Sequence, residues 1–438
     1  MYKTLSAPHV VQIEVSPMCP NQCMHCYNFW RQKDEKMTNL LNSLSLPQID
    51  KILKQLIAHK IFHLVLTGGE PLLNKKVLFR ILEKAKENNI TVSVNSTLIS
   101  LTEKEAIRFK ELGVLVVLTS LLGPTAEIHN RIAQKKLAFE KTTNGISILR
   151  KIGVPVAVNM VVSKKNQHLI RETAIFVKSL GIKSFNATRA GCPGNCNDFS
   201  ELSLNLDEFR SYLEELHSIG NDEKLIVDVL SSYPICGIKE VDRYQGFSSR
   251  RCMAGVNTIT ISANGDVRPC GHFDISYGNL LEEDLSDIWQ RMTEWRDGSM
   301  LPTDCRSCRA LPWCGGGCRM EAKMRNGSCT ELDPYSSPVD ADYVYQQMAN
   351  RKKEKTSLPL TVQLNPKIRW RKEKFGGTFF VGARFACYLN PKGVNFLNCL
   401  PKGTDLQISD LIGKLEQNQE NFILGLIERN IFISNNFN

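Results

Sequence analysis

No apolar run in this 438-residue chain approaches the ~18 residues that a membrane span needs. The opening stretch MYKTLSAPHVVQIEVS lacks the basic-then-apolar layout of a secretory signal. Internal repeats are missing, apart from an alternation of short β-branched runs with longer amphipathic ones. These absences argue against a membrane partner, and the expected location is the cytoplasm. A further absence is more informative. The stretch CPNQCMHCYNFW, residues 19–30, places Cys19, Cys23 and Cys26 within eight residues, whereas a closed zinc site or a saturated iron–sulfur cluster takes four protein ligands. Either a partner lies elsewhere in the chain, or one position is left open.

What is present is an ordinary globular composition, 42% apolar and 23% charged, with length enough for two or three domains. In a reducing compartment the 15 cysteines are not expected to form a disulfide framework, so metal or redox chemistry is the leading expectation. Ten of them fall into spaced clusters; the others are Cys192, Cys196, Cys236, Cys387 and Cys399. The net charge of +10 is uneven: after residue 350 there are 14 Lys/Arg against 7 Asp/Glu, a net of +7. A basic tail module suggests an acidic partner.

Along residues 10–190 the runs VVQIEV, FHLVL, TVSVN, VLVVLTS, VPVAVNMVV and KSFNAT read as strands separated by helical stretches. In LPQIDKILKQLIAHK, for example, Ile49, Ile52, Leu53, Leu56 and Ile57 form one helical face. Six βα units predict a parallel sheet with right-handed crossovers, curled into a full or partial barrel whose chemistry collects at the C-terminal ends of its strands. From about 230 to 335 the pattern changes to short elements, turns and dense cysteine, with a hairpin expected around Asn264-Gly265. A charged linker, NRKKEKTSLP, precedes a third module. There two or three strands surround Gly376-Gly377, and three short helices follow near 393–400, 408–416 and 420–430. The expected boundaries are 1–230, 231–350 and 360–438.

The first cysteine loop follows strand one, and Thr67-Gly68-Gly69-Glu70-Pro71 closes strand two. Three thiolates on a [4Fe–4S] cluster leave one iron free for a small chelating molecule, and paired glycines let backbone approach a ligand closely. A zinc site with a borrowed fourth ligand and a plain βα turn are the bland alternatives. Cys192 and Cys196, in GCPGNC after strand six, could donate a hydrogen atom or touch substrate; an ordinary Gly/Pro turn explains them as well. Cys252-x12-Gly265-x4-Cys270, Cys305-x2-Cys308-x5-Cys314-x3-Cys318 and Cys329 form a second array. Its CxxC pairs are metal knuckles, with zinc again the alternative.

The Cx3Cx2C loop, with His25 before its last cysteine, together with TGGEP resembles the radical SAM enzymes. VNSTLI and SLLGPTAEIHNRI match further segments of that family. The resemblance implies that Cys19, Cys23 and Cys26 hold a [4Fe–4S] cluster whose open iron binds S-adenosylmethionine. It further implies that Gly68, Gly69, Glu70, Asn95, Ser120 and Arg131 contact that cofactor, and that a flavodoxin- or ferredoxin-type protein donates the electron. Leu122 stands where many relatives have Asp. The second array is similar to the SPASM extension, which holds two auxiliary clusters and brings the total to three. The resemblance implies Cys305, Cys308, Cys314 and Cys329 for the outer cluster and Cys252, Cys270 and Cys318 for the inner one. Cys236 is the candidate fourth inner ligand, against an open iron or a buried thiol.

The third module is laid out like a winged helix. Its helical part carries Asp405, Asp410, Glu416, Glu420 and Glu428 against Lys414 and Arg429, which argues against nucleic acid as partner. It resembles the PqqD-like RiPP recognition element. That implies a leader peptide added as a strand to a sheet edge, with Ile423, Leu426 and Ile427 candidates to line the groove, or simply core. The whole reads as α/β: a partial (β/α)6 radical SAM barrel, a cysteine-rich SPASM domain and a winged-helix-like α+β domain. The expected activity is hydrogen abstraction from a ribosomal precursor peptide, giving a crosslink, an epimer or an excised backbone fragment. A sulfatase-maturating-type enzyme and a zinc-stabilised, non-catalytic binding protein are the alternatives.

Overall fold

The computed structural model describes residues 2–28, 43–193, 199–244, 247, 250–351, 358–413 and 419–434. Six β-branched runs become parallel strands paired in sequence order: β1 (Val10–Ser16), β2 (His63–Gly68), β3 (Thr91–Asn95), β4 (Val116–Ser120), β5 (Val156–Val162) and β6 (Ser184–Arg189). A short seventh, β7 (Ile226–Asp228), pairs parallel to β6, one strand beyond the six expected. The crossovers are α1 (Leu46–Ala58), α2 (Lys75–Glu87), α3 (Glu103–Glu111), the pair α4 (Ala126–Ala133) and α5 (Ala138–Ile152), α6 (Ile170–Ser179) and α7 (Leu206–Glu223). Each buries one apolar stripe against the sheet. In α1 that stripe is Ile49, Ile52, Leu53 and Leu56, and a capping box of Ser45 and Gln48 fixes the start. Gly113, at a φ of 72°, follows α3 in the left-handed conformation that ends a helix without a Cβ penalty.

The cysteine-rich stretch does not stand apart from this barrel. β8 (Thr258–Ile261) pairs parallel to β1 and turns at Gly265 into β9 (Val267–Arg268), so one nine-stranded sheet runs through both regions. The short helices α8 (Ile235–Ile238), α9 (Leu285–Arg291), α10 (Thr303–Arg306), α11 (Leu311–Cys314), α12 (Arg319–Asn326) and α13 (Ala341–Asn350) complete one compact unit, Met1–Asn350. Its latches are polar. The Leu285 N–H donates to Gln55 Oε1 at 2.7 Å, and the Trp289 indole donates to the Leu5 carbonyl at 2.8 Å.

The second unit is Arg351–Asn438. β10 (Thr361–Leu364) lies between β14 (Leu406–Gln407) and β15 (Phe432–Ile433), while β11 (Ile368–Glu373), β12 (Gly376–Val381) and β13 (Arg384–Leu389) form an antiparallel meander. α14 (Pro391–Asn398), α15 (Ile408–Gly413) and α16 (Gln419–Glu428) pack with them around Val362, Phe379, Leu397, Leu411 and Phe432. Ile423 and Leu426, considered above as groove residues, are interior members of this core, with Ile427 partly buried against it. No described helix is long and apolar enough to cross a membrane.

Candidate functional site

The cysteine loop leaves β1 at Ser16 and is clamped from two sides. The Gly69 and Glu70 N–H groups donate to the Ser16 and Met18 carbonyls, both at 2.7 Å, and the Gln22 and Met24 N–H groups donate to Ala133 and Ile132 at the end of α4, both at 3.0 Å. The clamp requires glycine. Gly68 sits at a φ of 126°, and a Cβ on Gly69 would collide with the Met18 carbonyl. Asn28 adds a side-chain bond to the Gly68 carbonyl at 2.9 Å. Cys19, Cys23 and Cys26 are thereby presented half-buried from one short loop, none of them in a disulfide.

Glu70 turns its side chain away from the loop. Its buried carboxylate accepts from Leu72 N–H (3.0 Å), Ser96 Oγ (2.7 Å), Thr97 N–H (2.7 Å) and Thr97 Oγ1 (2.6 Å). Burial raises its pKa, against the lowering effect of those donors. The carboxylate thus ties the end of β2 to the loop after β3. Asn95 and Ser120 lie half-buried at the C-terminal ends of β3 and β4. Arg131 lies on the last turn of α4, more than half exposed, with Glu127 at 4.0 Å. Leu122 is buried with Ile132, Ala133 and Ala138, and Cys23 packs on that cluster. This chain thus has a buried apolar cluster beside the cysteine loop. The Leu122 N–H donates to Nδ1 of buried His129 at 3.2 Å.

Two contacts invisible to motif reading join this loop to the second array. Tyr27 stacks on His272, with ring centroids 4.5 Å apart and planes 6° from parallel. Glu14, buried in β1, meets buried Arg268 of β9 at 2.5 Å, and Arg268 also donates to the Gly271 and Phe273 carbonyls at 2.9 Å. A third node closes β6. Arg189, buried, lies 3.2 Å from Glu321 and 4.0 Å from Asp333, with its guanidinium 4.4 Å from the centroid of the Tyr335 ring. Burial disfavours that charge, but Glu321, Tyr335 and Asp333 outweigh it and raise the pKa. Glu321 accepts the Cys192 N–H at 2.8 Å, and Asp333 accepts the Cys318 N–H at 2.6 Å. The Cys192 thiol is buried with Ala190, Phe199 and Leu202 and faces the Pro193 carbonyl at 3.7 Å. Cys196 lies outside the described residues.

In the second array burial, and then Cys252, raise the Cys270 and Cys318 thiols. The Ile235 N–H donates to the Cys314 sulfur and the Ser337 N–H to the Cys236 sulfur, both at 3.4 Å. Burial also raises the Cys236 and Cys329 thiols. Burial, and then the neighbouring thiols, push Cys305 up to about 12 and Cys270 up to about 11. Thiols buried and crowded in this way become thiolates only around a cationic centre, which fits iron–sulfur ligation. Among the described residues no three His, Cys, Asp or Glu side chains converge closely enough to hold a single metal ion.

Residues 13–177 match the radical SAM superfamily, and residues 252–309 match SPASM, an iron–sulfur cluster-binding domain. The chain is a radical SAM enzyme with a SPASM domain, a class that uses S-adenosylmethionine and [4Fe–4S] clusters. It is 26% identical over 352 residues to the AdoMet-dependent heme synthase of Methanosarcina barkeri, covering 76% of this chain and 98% of that protein. It is 25% identical over 281 residues to the antilisterial bacteriocin subtilosin biosynthesis protein AlbA of Bacillus subtilis, covering 63% and 58%. Among solved structures, anSMEcpe with bound AdoMet superposes with a TM-score of 0.61 at 18% identity, over 78% of this chain and 97% of that one. Streptococcus suis SuiB bound to the precursor peptide SuiA gives 0.61 at 18%, over 75% of each. At such identity these two likenesses establish the fold alone.

Proposed function

We propose that this enzyme is a peptide maturase, which takes a hydrogen atom from a residue of a ribosomally made precursor held by the unit Arg351–Asn438. The observation that carries this reading is the second unit itself, a small α+β module with its own apolar core. Its meander offers two strands, β11 and β13, that each have one neighbour among the described residues. A peptide adding to such an edge gains main-chain hydrogen bonds, with side-chain pockets giving selectivity. β11 carries Arg369 and Lys372, and the segment's net charge of +7 suits an acidic leader. The precursor peptide bound to SuiB and the role of AlbA in bacteriocin biosynthesis support the same substrate class.

In this reading Cys19, Cys23 and Cys26 hold the cluster, and the Gly68-Gly69 turn offers close backbone to the cofactor. Held there, S-adenosylmethionine would, on taking one electron from the reduced cluster, supply a 5′-deoxyadenosyl radical to remove the substrate hydrogen, with methionine as the other product. Asn95, Ser120 and Arg131 orient the cofactor from the strand ends and from α4. Deleting residues 360–438 is expected to abolish measurable affinity for the cognate peptide while basal S-adenosylmethionine cleavage under dithionite persists; unchanged affinity would overturn the reading. The near-complete coverage of the Methanosarcina barkeri heme synthase favours a second reading, action on a haem-type tetrapyrrole. Under that reading the deletion leaves turnover unchanged, and a tetrapyrrole rather than a peptide binds.

A further inference from the structure

The cysteine loop reaches the surface beside the end of α4. The Gln22 and Met24 N–H groups donate to the Ala133 and Ile132 carbonyls, so the loop is laid against that helix end. Met24, the neighbour of Cys23, is 39% exposed. Residues 134–137 then turn the chain from α4 into α5. Lys135 and Lys136 of this turn are exposed, and neither forms an ion pair among the described residues. Leu137 is 58% exposed, although Ala138 after it belongs to the buried group on which Cys23 packs. The turn is thus a surface tip standing directly over the cysteine loop.

The tip is strained as well as exposed. Gln134 and Leu137 have φ values of 50° and 60°, in the left-handed region that Gly and Asn enter easily and a leucine resists. Leu137 recovers little of that cost by burial, since more than half of it stands in water. Strain held in such a place points to a use for it. An apolar tip flanked by cations fits an apolar spot within an acidic surface, the usual arrangement of core and rim at an interface. The wider charge has the same sign. Between residues 127 and 141, Arg131, Lys135, Lys136 and Lys141 stand against Glu127 and Glu140. Both acids are engaged locally, Glu127 with Arg131 at 4.0 Å and Glu140 with the Asn130 amide at 3.5 Å.

We propose that Lys135, Lys136 and Leu137, with Met24, form the docking face for a small acidic one-electron carrier of the flavodoxin type, and that the electron enters beside Cys23. In that step the carrier's flavin passes from the anionic hydroquinone to the neutral semiquinone. The electron it loses is gained by the cluster of Cys19, Cys23 and Cys26, and no bond or proton changes hands. The proposal goes beyond the peptide reading and holds for either substrate. It rests on the radical SAM assignment.

The test uses the full chain, reconstituted anaerobically, as wild type, as the double variant Lys135→Glu with Lys136→Glu, and as Leu137→Asn. Asparagine accepts the left-handed backbone but removes the apolar tip. Affinity for flavodoxin is measured by titration calorimetry. S-adenosylmethionine cleavage is then driven either by reduced flavodoxin or by dithionite, a small reductant that needs no docking face. The charge reversal is expected to weaken flavodoxin binding, and to slow the flavodoxin-driven rate at limiting carrier, by about ten-fold or more at low ionic strength. It should also flatten the dependence of both on salt. Leu137→Asn is expected to lower both by a smaller factor and to leave their salt dependence as in wild type. The dithionite-driven rate is expected to stay at the wild-type value in both variants. Unchanged flavodoxin affinity and rate in the charge-reversed protein overturn the proposal. So does an equal loss with dithionite, which places the effect in the cluster or the fold. Wild-type protein that fails to cleave S-adenosylmethionine even with dithionite would overturn the radical SAM assignment beneath, a result distinct from failure of the variants.

Discussion

The units Met1–Asn350 and Arg351–Asn438 keep their shapes by different means. In the cysteine-rich part of the first, α8, α10 and α11 are four residues long, far too short to be stable alone. α8 is tied by the Arg210 side chain to the Gly237 carbonyl and by the Ile235 N–H to Cys314 of α11, and the same region buries the polar pairs of Arg189 with Glu321 and Asp333, Arg268 with Glu14, and Cys318 with Asp333. In the second unit one continuous apolar core joins strands and helices, with Arg371–Glu373, at 2.8 Å, a buried ion pair within it. The first arrangement positions thiols but depends on groups that are costly to bury. The second rests mainly on the hydrophobic effect. A chain built in this way is expected to respond to loss of metal in its first unit and not in its second.

The largest effect should come from removing iron. Anaerobic chelation followed by hydrogen exchange is expected to strip protection from residues 236–337 and leave residues 360–434 unchanged, because metal-site binding energy is folding energy. Equal loosening of both units would break the comparison. Next come two substitutions read by denaturation of the intact chain. Arg189→Met leaves Glu321 and Asp333 buried without their cation, and is expected to cost the first unit about 3–5 kcal/mol. Ile423→Ala opens a cavity in the apolar core and should cost the second unit about 2–4 kcal/mol. Each should move the transition of its own unit only.

Much of this was legible in the sequence, and for specific reasons. β-branched runs and the Ile49–Ile57 stripe gave the barrel, since period and burial are coupled. The cysteine loop and Gly68-Gly69 could be paired because both follow barrel strands. Arg189, Tyr27 with His272, and Glu14 with Arg268 were missed, since each needs a partner distant in sequence. A charged residue at the end of a barrel strand was the only signal Arg189 offered. Cys236 was singled out by its nearness in sequence to Cys252, while the packing of α8 on α11, which sets its surroundings, leaves no mark in the spacing. Ile423 and Leu426 show the limit of a stripe: spacing identifies an apolar face but not what covers it.

The smallest effect concerns pH and separates the units once more. All eight histidines precede residue 351, so the second unit has none. His129, buried on α4, accepts the Leu122 N–H at Nδ1, and burial holds its pKa down at about 4, with Glu140 opposing. His25, whose own pKa burial also lowers to about 4, feels the His129 charge as well. A base depressed in the folded state binds fewer protons there than in the unfolded chain, so stability rises with pH across the window from about 4 to 6.5 and is fully present above it. Acidifying from pH 7.5 to 5 should therefore destabilise the first unit through His129 by roughly 2 kcal/mol. His129→Asn, which keeps an acceptor for Leu122 but cannot titrate, should remove that share of the slope. The transition of the second unit should stay fixed over the same range and act as an internal reference. A shift of equal size in both units would show that the pH response belongs to something other than the buried imidazole.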